Sequence, residues 1–193
     1  MEYYEGFETV KQKLIIAGIA EIEAHGITDF SLRRVASSCN VSCAAPYKHF
    51  KSKDDFIAEI VLYIHNKWLM LQNQVASVFK DDVKKQLIET CVAYVKFWIA
   101  NPNFRAVLTL KTDTFGDEIT STISEITDTV TQLIHKCSVK YNIGANEEKV
   151  KTYKIRSFIY GATLMIDSGE LENSEESINI IRTCISNEFK GDV

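Results

Sequence analysis

The chain has 193 residues, 46% of them hydrophobic, with 22 Lys+Arg against 26 Asp+Glu and a formal net charge of −4. Such a length and apolar content suffice for one or two packed domains, while no run reaches the roughly 18 apolar residues of a membrane span. The acidic opening MEYYEGFETV lacks the apolar segment of a secretory leader, and five scattered cysteines (Cys39, Cys43, Cys91, Cys137, Cys184) read as reduced thiols of a cytoplasmic protein, not as a disulfide framework.

Only two prolines and eight glycines interrupt long 3.6-residue periods, so an all-α fold is expected. The first helix is predicted from about Thr9 to His25, with Val10, Leu14, Ala17, Gly18 and Ile22 on one face and Gly26 as its left-handed terminator. Lys11 and Lys13 near its start are within reach of a phosphate or are solvated surface charges. The next stretch, Phe30 to Lys53, reverses the sign of the chain: Arg33, Arg34, Lys48, Lys51 and Lys53 stand there without a single Asp or Glu. A surface free of carboxylates can approach phosphates without repulsion.

Within this stretch the spacing predicts two short helices and a turn. Ser31 is suited to cap the first, Phe30 and Val35 have staple spacing, and Leu32, Val35 and Ala36 face inward. Asn40 tolerates the left-handed turn. Ser42 caps a second helix running to about Phe50, with Pro46 in its first turn, and this second helix is expected to be the reader of a helix-turn-helix.

The segment from Val35 to Phe56, VASSCNVSCAAPYKHFKSKDDF, resembles the DNA-binding signature of TetR-family transcriptional repressors. Val35-Ala36, Val41-Ser42, Tyr47, Phe50, Lys53 and Phe56 fall at its positions, and Asn40 stands where glycine is usual. The resemblance covers about residues 10 to 60, and the remainder is similar only in length and helical layout. It implies an N-terminal three-helix DNA-binding domain over residues 1–51 and a C-terminal helical effector-binding and dimerisation domain over 52–193. It also implies that Tyr47 and Lys53 contact phosphate, with His49 beside them, and that Cys43 replaces a Lys or Arg common in the family.

Read from the residues themselves, Ser42 can bond a phosphate at a helix N-terminus. Cys43, Ala44, Ala45 and Lys48 are expected to face base edges, where alanine methyls meet thymine methyls and a lysine meets guanine acceptors. Arg33 is expected to reach the backbone or an adjoining base. Phe50 reads as core and Tyr47 as outward.

A long helix follows from the S-x-x-D capping box at Ser52 to about Phe79, roughly 25 residues, long enough to act as a lever between a ligand site and the DNA. Further helices are predicted over 81–101, from Phe104 to about Leu110, from Asp117 to about Tyr141, from Glu147 (capped by Asn146) to Asp167, and from Ser174 to Phe189. An apolar effector cavity is expected among Trp68, Tyr94, Trp98, Phe104, Leu108, Phe115, Ile123, Tyr160 and Met165, with His65, Asp113, Thr163 and Asp167 as orienting groups. The segment from Phe158 to Ile166 is apolar on almost every side and needs more than one cover. A two-fold four-helix interface through Tyr160, Gly161, Leu164, Ile178, Ile181 and Ile185 is one answer, and an ordinary monomer core is the other.

No H-E-x-x-H, C-x-x-C or Glu-x-x-His pattern is present, so no metal, cofactor or catalytic residue is assigned. Cys39 and Cys43 flank the turn and leave redox sensing open. The expected function is a homodimeric repressor that binds a palindromic double-stranded DNA operator and is released by a small, largely apolar effector. A helical carrier or enzyme, or a DNA-binding protein without an effector, are the alternatives.

Overall fold

A computed structural model describes residues 9–104 and 117–189. Among these residues the secondary structure is helical, without a strand. The helices are α1 (Val10–His25), α2 (Leu32–Ser38), a 3-10 turn (Pro46–Lys48), α3 (Lys53–Val78), α4 (Val83–Ala100), α5 (Asp117–Lys140), α6 (Ala145–Asp167) and α7 (Glu175–Asn187). The chain divides into two compact units, Met1–Asn66 with Asn103–Ile123, and Lys67–Pro102 with Ser124–Val193. None of the described helices is long and apolar enough to cross a membrane. Of the expected helix from Phe104 to Leu110, all residues after Phe104 lie outside the described part.

In the first unit, Thr9 caps α1 through a reciprocal pair with Gln12, and Gly26 ends it at φ 69° while its N–H bonds the Ile22 carbonyl. Leu14, Ile15, Ile19 and Ile22 of α1 are buried with Val35 and Ala36 of α2 and Phe56, Ile57 and Ile60 of α3. Gly18 permits that closeness: a methyl there would fall 2.3 Å from Phe56 Cε1 and 2.9 Å from Ile60 Cδ1. Glu21 is buried in this unit. Its Oε1 accepts from Arg34 Nε at 2.7 Å and from the Ser31 N–H at 3.2 Å, tying α1 to the start of α2. The carboxylate's remaining cost of burial is offset by these charge-assisted bonds.

In the second unit, α4 packs on α6 and α7. Leu87, Cys91, Val95 and Trp98 of α4 meet Ile155, Ile159, Ala162 and Ile166 of α6 and Ile178, Ile181 and Ile185 of α7 in the buried set. The C-terminal end of α7 is held by two cations: Lys84 donates to the Phe189 carbonyl at 2.9 Å, and Lys151 donates to the Glu188 carbonyl while its Nζ sits 3.1 Å from Glu147. Cations at the carbonyl end of a helix complement its dipole. Burial pushes the Cys91 thiol up and Cys137 to about 11, which leaves both unreactive as thiolates.

Two sequence expectations are corrected here. α6 opens at Gly144, not at Asn146, because Asn142 takes the left-handed turn (φ 54°) and the extended Gly144 already starts the helical ladder with its carbonyl bonded to the Glu148 N–H. Ile178, Ile181 and Ile185 are 2%, 2% and 1% exposed, so the main apolar stripe of α7 holds that helix on the chain's own core and is not an interface with a second copy.

Candidate nucleic-acid interface

The segment after α2 is built around one left-handed residue and one proline. Asn40 has φ 54°, and the Val41 N–H returns to the Ala36 carbonyl at 3.0 Å, reversing the chain at the end of α2. The expected second helix from Ser42 to Phe50 does not form as an α-helix. Pro46 has no N–H to give to the Ser42 carbonyl, and that carbonyl instead accepts the Ala45 N–H at 2.8 Å. Lys48 then bonds the Ala45 carbonyl at 3.1 Å and His49 the Pro46 carbonyl at 2.9 Å, the tight i→i+3 pattern of a 3-10 turn over Pro46–Lys48. Ser42 is therefore not the first residue of a helix carrying a dipole at its N-terminus, and its expected role there is replaced by that of an exposed hydroxyl in a turn.

The side chains of this segment nonetheless divide into a buried and an exposed set. Pro46 and Phe50 are buried, the latter edge-on to Phe56 at a 4.3 Å centroid distance, and they anchor the turn from below. Ser42, Cys43, Ala44, Lys48 and His49 are exposed, Ala45 is half-buried, and Tyr47 is 63% exposed. Arg33 lies on the exposed side of α2. A tyrosine so exposed beside a fully buried phenylalanine marks a surface whose apolar members are held by packing and whose polar members are left to solvent or a partner.

The five cations of this stretch separate into two kinds. Arg34 pairs with Glu21 at 2.6 Å and with Asp29 at 3.3 Å, and its guanidinium pKa is raised above its usual value first by the hydrogen bond to Glu21. Lys53 donates to the Ile27 carbonyl at 2.8 Å and lies 5.7 Å from the centre of the Phe30 ring, which ties the start of α3 to the loop before α2. Arg33, Lys48 and Lys51 make no ion pair among the described residues and are exposed. Lys11 of α1, a candidate phosphate contact by position, sits 2.9 Å from Glu59 and over the Phe50 ring at 5.8 Å. Periodicity could not have found the buried Glu21, because an acid on an apolar face looks like an interruption of that face. Its spacing to Arg34 became meaningful only once the helices packed.

The start of α3 shows half of the predicted capping box. Ser52 Oγ accepts from the Asp55 N–H at 3.1 Å, but the Asp55 carboxylate takes the Lys51 N–H at 2.7 Å. Lys51 is thereby fixed at its backbone while its side chain stays exposed.

The expected effector residues do not form one group. Trp68, Tyr94, Trp98 and Tyr160 gather in the second unit, with Tyr94 at 5.6 Å from Trp68, 5.7 Å from Trp98 and 5.7 Å from Tyr160 by ring centroids. Phe104 packs on Tyr63 at 6.3 Å in the first unit, to which Ile123 also belongs. Met165 is 40% exposed, at the margin of the buried face of α6. Leu108, Phe115 and Asp113 lie outside the described residues. Thr163 is occupied, its hydroxyl donating to the Ile159 carbonyl at 2.8 Å. No cluster of three or more His, Cys, Asp or Glu suited to a metal ion occurs among the described residues.

Residues 14–60, which contain the whole of this surface, match the sequence profile of bacterial regulatory proteins of the tetR family. A probable acrEF/envCD operon repressor of Escherichia coli (strain K12) is 26% identical over 98 residues, a match that takes in 51% of this chain and 44% of that protein. The chain thus matches less than half the length of this relative. Two crystal structures share the fold: a regulatory protein in the tetR family from Rhodococcus RHA1 (19% identity, TM-score 0.71, 95% of this chain and 96% of that one) and a TetR family transcription regulator from Marinobacter aquaeolei VT8 (14% identity, TM-score 0.74, 92% and 94%). The segment from Ser42 to His49 thus lies inside the stretch that matches the tetR-family profile, and the chain shares its fold with these two structures.

Proposed function

We propose that the protein is a cytoplasmic transcriptional repressor that binds a palindromic operator as a homodimer and releases it when a small effector occupies the second unit. The observation that carries this reading is the outward exposure of an acid-free surface, Ser42 to His49, over the buried anchors Pro46 and Phe50. Tyr47, Ser42 and His49 supply donors for phosphate, Ala44, Cys43 and Lys48 face base edges, and Arg33 and Lys51 add charge at the margins. Lys53 acts in this reading as a positioning residue through Ile27.

The homodimer is supported by the outer side of α6. Val150 (51% exposed), Tyr153 (76%) and Leu164 (61%) flank Ser157 and Gly161, and Ile180 of α7 is 55% exposed. Small residues at the centre of an apolar helix face allow a second helix to approach closely, and nothing lies within 4 Å of a methyl placed on Gly161. The dimer contact therefore passes from the buried isoleucines to this face, keeping Tyr160, Gly161 and Leu164 of the original set.

The test is binding of the purified protein to a random duplex library at low salt, followed by sequencing of the retained DNA. A recovered two-fold repeat, with half-sites about one helical turn (roughly 34–36 Å) apart, supports the reading. Indifference to every duplex removes it, and sedimentation as a 21.9 kDa species alone at micromolar concentration removes the dimer.

A further inference from the structure

Helix α2 carries the chain into the reading segment, yet little apolar surface holds it. Of its seven residues, Val35 and Ala36 are buried. An open groove of about 580 Å³ runs between α1 and the end of α2, lined by Ile16, Ala17, Ala20 and Ala24 of α1 and by Ser38 and Cys39. Apolar contact is non-directional, so a short helix resting on two side chains beside such a groove has its angle weakly specified by packing.

Polar ties supply the missing direction. At the start of α2, Glu21 Oε1 of α1 accepts from Arg34 Nε at 2.7 Å and from the Ser31 N–H at 3.2 Å, and it stands 2.6 Å from a second nitrogen of the same guanidinium. That guanidinium also reaches the Asp29 carboxylate at 3.3 Å and donates to the Asp29 carbonyl. At the other end of α2, the Cys39 thiol meets the Lys13 carbonyl of α1 at 3.5 Å. Directed bonds thus hold α2 to α1 at both ends, with the groove beside them. The Val41 N–H returns to the Ala36 carbonyl, so the turn that opens the reading segment follows wherever α2 is set.

The Glu21 side chain is 8% exposed. A buried ion pair adds little net stability, because desolvation offsets its attraction, and apolar residues of similar shape do as well or better. A carboxylate on a guanidinium fork does fix distance and angle, which apolar side chains do not. We propose that Glu21 is a positioning residue for DNA reading: acting through Arg34 and the Ser31 N–H, it sets where α2, and with it Ser42 to His49, stands on α1. Its contribution is selectivity among duplexes, not stability of the fold. The inference rests on the DNA-binding reading above and deepens it.

The test is the double variant Glu21→Leu/Arg34→Met, which keeps the net charge and so the sequence-independent attraction to phosphate. Binding is measured to the duplex retained most strongly from the random library and to a scrambled duplex of the same composition, alongside urea unfolding. The urea midpoint should stay the same or rise, while the ratio of selected to scrambled affinity falls at least five-fold. A smaller fall, or one accompanied by a lowered midpoint, overturns the proposal. Arg34→Lys, at an exposed position, keeps the charge but loses the fork, and its affinity ratio should fall at least three-fold at an unaltered midpoint. Should the double variant fail to fold, this single variant decides alone, and a ratio that falls by less overturns the proposal. An unmodified protein without preference for any duplex removes the DNA reading and the positioning role together. Selective binding by the unmodified protein, equalled by both variants, removes the positioning role only.

Discussion

The reading segment and the interior of the second unit use aromatic residues in opposite ways. Around Pro46–Lys48, one ring is buried (Phe50) so that its neighbour Tyr47 can stand 63% exposed. In the second unit Trp68, Tyr94, Phe97 and Trp98 are all buried against one another, and the polar tips of the tryptophans are enclosed with them. The first arrangement separates scaffold from contact residue by residue. The second puts both demands on the same side chains, which is why a substitution there should disturb stability and any ligand response together.

The largest effect is expected where stability and contact coincide. Trp68→Ala removes a fully buried indole and should cost about 3–5 kcal/mol, read as a lowered urea midpoint by circular dichroism. A loss below about 1 kcal/mol would mean that the site closes over the missing ring. Next comes Gly18→Ala in the first unit, where the added methyl meets the buried Phe56 ring, which cannot swing away. A cost of about 1–3 kcal/mol is expected, and it should exceed that of Ala20→Ser on the exposed side of the same helix.

Much of this division was legible in the residues. The 3.6-residue apolar spacing placed α1, α3, α4 and α5 to within two residues, and Ser31, Asn40 and Ser52 act where their chemistry suggested. Two things were not legible, each for a physical reason. Pro46 is compatible with the first turn of a helix in general, but whether the Ser42 carbonyl left without its partner is taken by an i→i+3 bond, as it is by the Ala45 N–H, shows only in the folded backbone. The stripe Ile178, Ile181, Ile185 has the same spacing whether it faces its own domain or a second copy, so periodicity alone could not choose.

Lys53 tests the reading segment's own division of labour. The resemblance implies a phosphate contact, whereas its amine is bonded to the Ile27 carbonyl and lies near the Phe30 ring. Lys53→Met keeps the aliphatic stem and removes the donor, so it should lower stability by about 1 kcal/mol in urea unfolding. If stability is unaltered while the salt dependence of DNA binding flattens, the amine serves phosphate and not the scaffold.

The smallest stability effect, and the most selective one, is expected at Lys48. Its side chain is exposed and unpaired among the described residues, so Lys48→Ala should leave the unfolding midpoint within about 0.5 kcal/mol of the parent. In the reading proposed here Lys48 faces base edges, and its loss should relax the preference at one base pair per half-site by about 1–3 kcal/mol while weakening non-specific duplexes far less. A phosphate contact would behave differently: affinity would fall across all sequences, and the slope of log affinity against log salt would drop by about one per copy. Measuring both the selected sequence and the salt slope therefore assigns Lys48 to base or backbone. Pairing it with Lys53→Met separates a residue that reads from one that only holds the reader in place.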